Sequence, residues 1–116
     1  MEKNVRLGLL MGYYPGALTA RQKQMMALHF DEDMSLAEIA EHEGVSRQAV
    51  HDAIRRGEAA LESMEAENGL LASRMTLLHA VDMLEGLLEG LRSGQVPDKA
   101  ALEAAAAQLE QVKTML

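Results

Sequence analysis

The side chains with the most evident chemistry lie between residues 46 and 56 and are spaced as on the outer side of a helix. They are Ser46, Arg47, Gln48, His51, Arg55 and Arg56. Arginine and glutamine form paired hydrogen bonds with the edges of guanine and adenine, and arginine also binds backbone phosphates. The same stretch holds three basic residues and one acidic residue, Asp52. The pattern predicts a nucleic-acid-binding surface, with Arg55 and Arg56 placed for phosphate contacts.

No other group of residues predicts a reaction or a bound cofactor. Cysteine is absent, which excludes a thiol nucleophile, a disulfide and a zinc–thiolate site. The four histidines are scattered, and Glu38 with His42, one helical turn apart, would supply only two metal ligands. No nucleophile–base pair or phosphate loop is visible. We therefore expect no catalytic residues, no metal site and no cofactor, and we expect that the protein is not an enzyme.

The net charge of the chain, −7, opposes nucleic-acid binding. Non-specific binding depends on phosphate electrostatics, so an acidic protein as a whole repels the backbone. Any contact must come from the local patch at residues 46–56. Two alternatives stay open: the same surface contacts a protein partner, or the helices there form only a structural core.

Two short helices must position this patch, and the sequence marks their boundaries. Thr19 with Gln22, and Ser35 with Glu38, have the spacing of capping boxes. Gly44 suits the turn that ends the helix opened by Ser35, because glycine tolerates a positive φ. The apolar positions that two crossing helices would bury follow the same pattern: Ile39, Ala40, Val45, Val50 and Ile54. Ser46 caps the helix that follows the turn. Two capped helices joined by a glycine turn predict a helix-turn-helix.

A leucine-rich stretch beyond this motif predicts a long amphipathic helix. Its apolar residues recur at steps of four and three, with Arg74 the one polar member: Leu70, Leu77, Val81, Leu84, Leu88 and Leu91. Such a seam suits a second helix. It either packs back on the chain's own helices or forms a homodimer interface, and we expect the homodimer because a short chain has little core to cover the seam. Whether Asn68 and Gly69 break or bend the helix stays open.

The predicted architecture is all-α, with two parts. Residues 1–67 form a helix-turn-helix domain, and residues 68–116 form a C-terminal helical arm for dimerisation, with Asp98 as the cap of its last helix. Val5 to Met11 is too short an apolar run for a signal peptide, and no stretch approaches the roughly 18 apolar residues of a membrane span. We expect a cytoplasmic protein with no membrane partner.

Three segments of the chain resemble the fourth region of bacterial sigma factors: LTARQ at 18–22, SLAEIAE at 35–41 and VSRQAV at 45–50. Within that superfamily the chain is most similar to the YlxM-like proteins, small bacterial helix-turn-helix proteins. The similarity rests on chain length, on the SRQAV start of the second helix and on the RRGE stretch at 55–58 that leads into a long helix. It is firm from about Val5 to Glu67 and looser beyond.

The resemblance implies a sigma region 4-like helical domain and a regulatory role. Genes of this family often lie beside those for components of the signal recognition particle. A nucleic-acid-binding regulator or accessory factor of that pathway is therefore implied, acting on DNA, on the particle's RNA or on its proteins. The alternative is an adaptor that binds signal recognition particle components or other proteins without touching nucleic acid.

Overall fold

The computed structural model describes all 116 residues, Met1 to Leu116, and contains only helices and their connections. The six helices are α1 Lys3–Tyr13, α2 Ala20–Phe30, α3 Leu36–Glu43, α4 Arg47–Asn68, α5 Leu70–Arg92 and α6 Lys99–Met115. The predicted all-α class is confirmed. None of the six combines the length and the apolar character that a membrane crossing requires.

Both predicted capping boxes are confirmed. Thr19 Oγ1 accepts a hydrogen bond from the Gln22 amide at 3.1 Å, and the Gln22 side chain accepts one from the Thr19 amide at 3.0 Å. Ser35 and Glu38 exchange the same pair of bonds, at 3.1 and 3.3 Å. Each box satisfies amides that the first turn of a helix leaves without partners, so α2 and α3 begin at fixed residues.

The chain forms two compact units, Met1–Gly69 and Leu70–Leu116. Gly69 adopts the left-handed conformation, with φ of +65°, and ends α4 with its amide bonded to the Glu65 carbonyl oxygen at 2.8 Å. The open question at Asn68 and Gly69 is thereby answered: the helix breaks there.

The core of the first unit is built around α4, which contacts α1, α2 and α3. Its largest fully buried side chains come from all four helices: Leu10, Met25, Met26, Ile39, Val50 and Leu61. Four of the five positions predicted to lie between α3 and α4 are buried, and Val45, in the turn, is half-buried.

Close packing on α4 occurs at Gly57, which recurs on the same buried side of the helix as Ile54 and Leu61. A Cβ atom added there would lie 2.5 Å from the Met26 sulfur and 3.3 Å from Leu18 Cδ2. Both neighbours belong to α2 or the loop before it. Gly57 therefore lets α2 lie close against the middle of α4.

Polar contacts attach α1 and the residue after it to α4. Three acidic residues of α4 take part, in the pairs Lys3–Glu58, Arg6–Glu62 and Tyr14–Glu65. Arg6 binds Glu62 through two parallel bonds of 2.8 and 2.7 Å, and these hydrogen bonds hold the pKa of the Glu62 carboxyl below its ordinary value and raise that of the Arg6 guanidinium. The Tyr14 hydroxyl donates to Glu65 Oε1 at 2.7 Å in a buried position.

The second unit consists of α5 and α6, which pack against each other. On α5, Leu71 is buried near the start of the helix, and the other shielded residues are mostly small and recur with heptad spacing: Ser73, Thr76, Ala80, Met83, Leu87 and Gly90. On α6 the corresponding residues are Ala101, Ala105, Gln108, Val112 and Met115. Asp98 caps α6 as predicted, accepting from the Ala101 amide at 2.7 Å.

Candidate nucleic-acid interface

The helix-turn-helix is formed by α3, a three-residue turn and the first half of α4. Gly44 has φ of +69°, and the amides of Gly44 and Val45 both donate to the Ala40 carbonyl oxygen. Ser46 Oγ then accepts from the Ala49 amide at 3.0 Å and starts α4. Because the turn is closed by backbone bonds, the direction in which α4 leaves α3 is set locally.

The structure places the predicted site residues on α4 and at its N-cap, on the part of the helix that α3 does not cover. Five of the six are exposed and His51 is half-buried: Ser46, Arg47, Gln48, His51, Arg55 and Arg56. Ser46 has a structural role as well, since its hydroxyl is the helix cap. The candidate surface is thus accessible along about three turns of helix.

Asp52 lies at the centre of this surface and organises its neighbours. Its Oδ1 accepts from Gln48 Nε2 at 2.9 Å and lies 3.7 Å from His51 Nδ1. The Gln48 amide is therefore held along the helix, and it must leave Asp52 before both its polar atoms can pair with an adenine edge. The Asp52 carboxylate also adds a negative charge between the arginines, which weakens attraction to any phosphate there.

A first cleft flanks α4 on the side of α2, with a volume of about 340 Å³. Arg21 of α2 and Arg56 of α4 both line it, together with Thr19 and Asp52. Arg56 and Arg21, which are distant in sequence, thus line the same cleft. The pairing depends on the packing of α2 on α4, so the spacing of residues along the chain gives no signal for it.

A second cleft flanks the other side of α4 and is lined by His51 and Arg55. Lys3 of α1 and His29 of α2 lie in the same cleft. Sequence reasoning missed Lys3 entirely and treated His29 as isolated, because only the fold brings α1 and the end of α2 beside the second helix of the motif.

The leucine seam of α5 lies on a different face from the one that packs on α6. Its six predicted interface residues are 36–60% exposed: Leu70, Leu77, Val81, Leu84, Leu88 and Leu91. On α6, Leu102 and Leu109 are exposed as well. The seam is therefore not covered by α6, the other helix of its own unit.

Comparison with known proteins matches residues 1–101 to the UPF0122 family, described as "Putative helix-turn-helix protein, YlxM / p13 like". The chain belongs to this family. The match includes all of α5 and the start of α6, so the family similarity continues through the part of the chain where the sequence resemblance is looser.

Individual UPF0122 proteins from bacteria are similar over most of their length. A UPF0122 protein of Symbiobacterium thermophilum is 44% identical over 89 residues, covering 77% of this chain and 83% of the relative. One from Desulforamulus reducens is 38% identical over 98 residues, 84% of each chain. One from Bacillus pumilus is 37% identical over 115 residues, covering 99% of this chain and 97% of the relative. The two-unit arrangement of helices therefore corresponds to nearly the full length of a UPF0122 protein.

Proposed function

We propose that this UPF0122 protein is a regulator that binds nucleic acid through the exposed surface of α4. The observation that carries the proposal is the set of three exposed arginines on the second helix of a helix-turn-helix, Arg47, Arg55 and Arg56. Helices in this position read base edges with their first residues, while neighbouring side chains contact the backbone. The proposal assigns the protein a binding role and no catalytic one.

The spacing of the arginines along α4 fits a nucleic-acid groove. Arg47 and Arg55 are eight residues apart, which is about 12 Å along a helix that rises 1.5 Å per residue. The major groove of DNA is about 12 Å wide. When Arg47 and Gln48 reach base edges, Arg55 and Arg56 lie near the edge of the groove, where phosphates run.

The acidic charge of the whole chain predicts how binding responds to salt and sequence. A protein of net charge −7 gains little from the general field of the backbone, so affinity depends on the few contacts made by α4. We expect weak binding to arbitrary sequences and much tighter binding to one target. Binding to that target falls as salt rises, with a logarithmic slope of about −0.9 for each phosphate contact on duplex DNA.

Crosslinking in cells followed by sequencing of the bound nucleic acid tests this proposal and identifies the target. We expect one enriched class of DNA sites or one RNA, and the resemblance to YlxM-like proteins makes the RNA of the signal recognition particle the first to examine. Recovery of proteins alone, with no nucleic acid above the level of an untagged strain, would contradict the proposal.

We propose further that the protein acts as a homodimer through the leucine seam. An exposed row of leucines along more than three heptads is costly in water, at roughly 25 cal/mol for each Å² of apolar surface left uncovered. A second copy offers the same seam and covers both at once. A dimer also pairs two α4 helices, which helix-turn-helix proteins use to bind two half-sites.

A protein-binding adaptor is the second candidate. The observation that favours it is the same exposed apolar seam on an acidic protein, because apolar helix faces also bind helices of other proteins. In that case the partner, such as a protein of the signal recognition particle, competes with the second copy for α5. Binding of this kind depends little on salt and is unaffected by changes in α4.

A further inference from the structure

The cleft that contains His51 and Arg55 has a volume of about 420 Å³ and is lined by residues from four helices of the first unit. Most of its polar lining carries or can take up positive charge: Lys3, His29, His51 and Arg55. Phe30, Leu36 and Ile54 form the apolar part of its wall, and Glu58 is its one acidic residue. On a chain with 18 acidic and 11 basic residues, this is a local reversal of charge.

Glu58 already places an anionic group in the cleft. Its Oε1 lies 3.2 Å from Lys3 Nζ, and its side chain is 23% exposed. The ammonium of Lys3 also lies 6.0 Å from the centre of the Phe30 ring, within the range of a cation–π contact. Lys3 is therefore held over the cleft by contacts with two residues of the wall, although its own side chain is 65% exposed.

His29 forms a fixed edge of the same cleft. Its Nδ1 lies 2.8 Å from the Met34 carbonyl oxygen, which can only accept, so Nδ1 carries the proton. Its ring packs edge-on against Phe30, with the ring centres 4.9 Å apart. These contacts hold one wall in place, so the cleft exists before any ligand enters.

We propose that this cleft is the seat for one backbone phosphate of the bound nucleic acid. Lys3 and Arg55 are its cationic contacts, and the phosphate replaces the Glu58 carboxylate as the partner of Lys3. The inference rests on the proposed function, because it places the phosphate at the groove edge when Arg47 reaches the bases. It adds α1 and α2 to an interface that the sequence confined to α4.

The chain offers a matched control for the Lys3–Glu58 pair. Lys113 Nζ and Glu110 Oε1 are also 3.2 Å apart but lie on α6 in the second unit. The substitutions Lys3→Gln and Glu58→Gln can thus be compared with Lys113→Gln and Glu110→Gln, which change the net charge equally. Binding is measured by fluorescence anisotropy against a random-sequence DNA duplex and an RNA hairpin of the same composition, at several salt concentrations that begin at low salt, where weak non-specific binding is strongest.

The proposal predicts that the two cleft variants change the affinity for nucleic acid in opposite directions, whichever of the two probes the wild type binds. Lys3→Gln weakens binding by about fivefold, the scale of one exposed ion pair, and reduces the salt slope by about one. Glu58→Gln strengthens binding by a similar factor, because the phosphate no longer competes with a carboxylate. The two α6 variants stay within about twofold of the wild type. Melting curves establish that all four variants are folded.

Two other outcomes separate the cleft from the proposed function. If Lys3→Gln and Glu58→Gln match their α6 controls while Arg47→Ala loses binding, α4 binds nucleic acid without a phosphate in this cleft, and the further inference is overturned. If the wild type binds neither the probes nor any cellular nucleic acid, the proposed function fails and the cleft proposal fails with it.

Discussion

At the scale of single residues, three acidic side chains of the first unit form ion pairs or hydrogen bonds with another part of that unit. Glu58, Glu62 and Glu65 of α4 each contact a residue of α1 or the residue after it. These acidic residues contribute to the net charge of −7, but here they attach α1 to the helix that carries the candidate interface. Part of the acidic charge is thus structural, and of these three residues Glu58 lies beside the arginine surface, in the cleft with Arg55.

The Arg6–Glu62 pair predicts a pH-dependent contribution to stability. The hydrogen bonds from Arg6 lower the pKa of Glu62 in the folded state, so the pair stabilises the fold above the pKa of the unfolded chain and ceases to do so as the pH falls through the folded value. We expect Glu62→Gln to lower the free energy of unfolding at pH 7 by up to about 1 kcal/mol, since both side chains are largely exposed.

The measurement is urea unfolding of Glu62→Gln and the wild type between pH 7 and pH 3. The difference between them should disappear below about pH 4, where the carboxyl is protonated in both states. Glu67→Gln, which removes an exposed charge from the same helix, serves as the control. A difference that persisted unchanged at pH 3 would show that the glutamine acts through packing instead.

At the scale of elements, the helix ends were predictable and the helix contacts were not. Thr19, Ser35, Ser46 and Asp98 cap the helices that the sequence assigned to them, because a cap is a local interaction within four residues. The close contact at Gly57 gave no sequence signal, since a glycine inside a helical pattern reads only as a weak position. Its role depends on Met26, which lies in a different helix.

This contact predicts that two glycine substitutions inside helices have opposite effects. Gly86, in the middle of α5, has no atom within 4 Å of an added Cβ, so Gly86→Ala should stabilise by about 0.5–1 kcal/mol through helix propensity. At Gly57 the new methyl group would meet the fully buried Met26 side chain, and overpacking of this kind costs about 1–3 kcal/mol. Gly57→Ala should therefore be destabilising.

Denaturant unfolding followed by circular dichroism gives both values under the same conditions. If Gly57→Ala proved as stabilising as Gly86→Ala, the Met26 side chain would be able to move aside, and α2 would not be held against α4 by this glycine.

At the scale of the whole molecule, the seam of α5 is an exposed apolar stripe that α6 does not cover. The sequence predicted its six residues correctly as one apolar stripe but could not show which helix covers it. The reason is that α6 packs on a neighbouring, small-residue face around Ala80, which carries little hydrophobic signal. The clefts beside α4 escaped prediction for a similar reason, since Lys3 and His29 join the surface only through packing.

The exposed seam predicts a dimer, and charged residues introduced into the seam of α5 should disrupt it. Leu77→Asp with Leu84→Asp should give a monomer in sedimentation velocity, because each carboxylate would be buried without a partner in the interface. Both side chains are more than one third exposed in the single chain, so the fold of each copy should survive. The control is Ala104→Asp with Ala107→Asp, which adds the same charge at exposed positions of α6.

A dimer that survived the seam substitutions would place the interface elsewhere on the molecule. If the wild type itself sedimented as a monomer at all concentrations, the seam would instead be available to another protein, as the adaptor alternative requires.

The central claim is that α4 binds nucleic acid, and the most direct test is the affinity of one double variant for the target recovered by crosslinking. Arg47→Ala with Arg55→Ala removes two of the three exposed arginines of α4, and Lys99→Ala with Lys113→Ala removes the same charge from α6. We expect the α4 variant to lose measurable binding to this nucleic acid while the α6 variant retains wild-type affinity. Equal binding by the wild type and the α4 variant would contradict it.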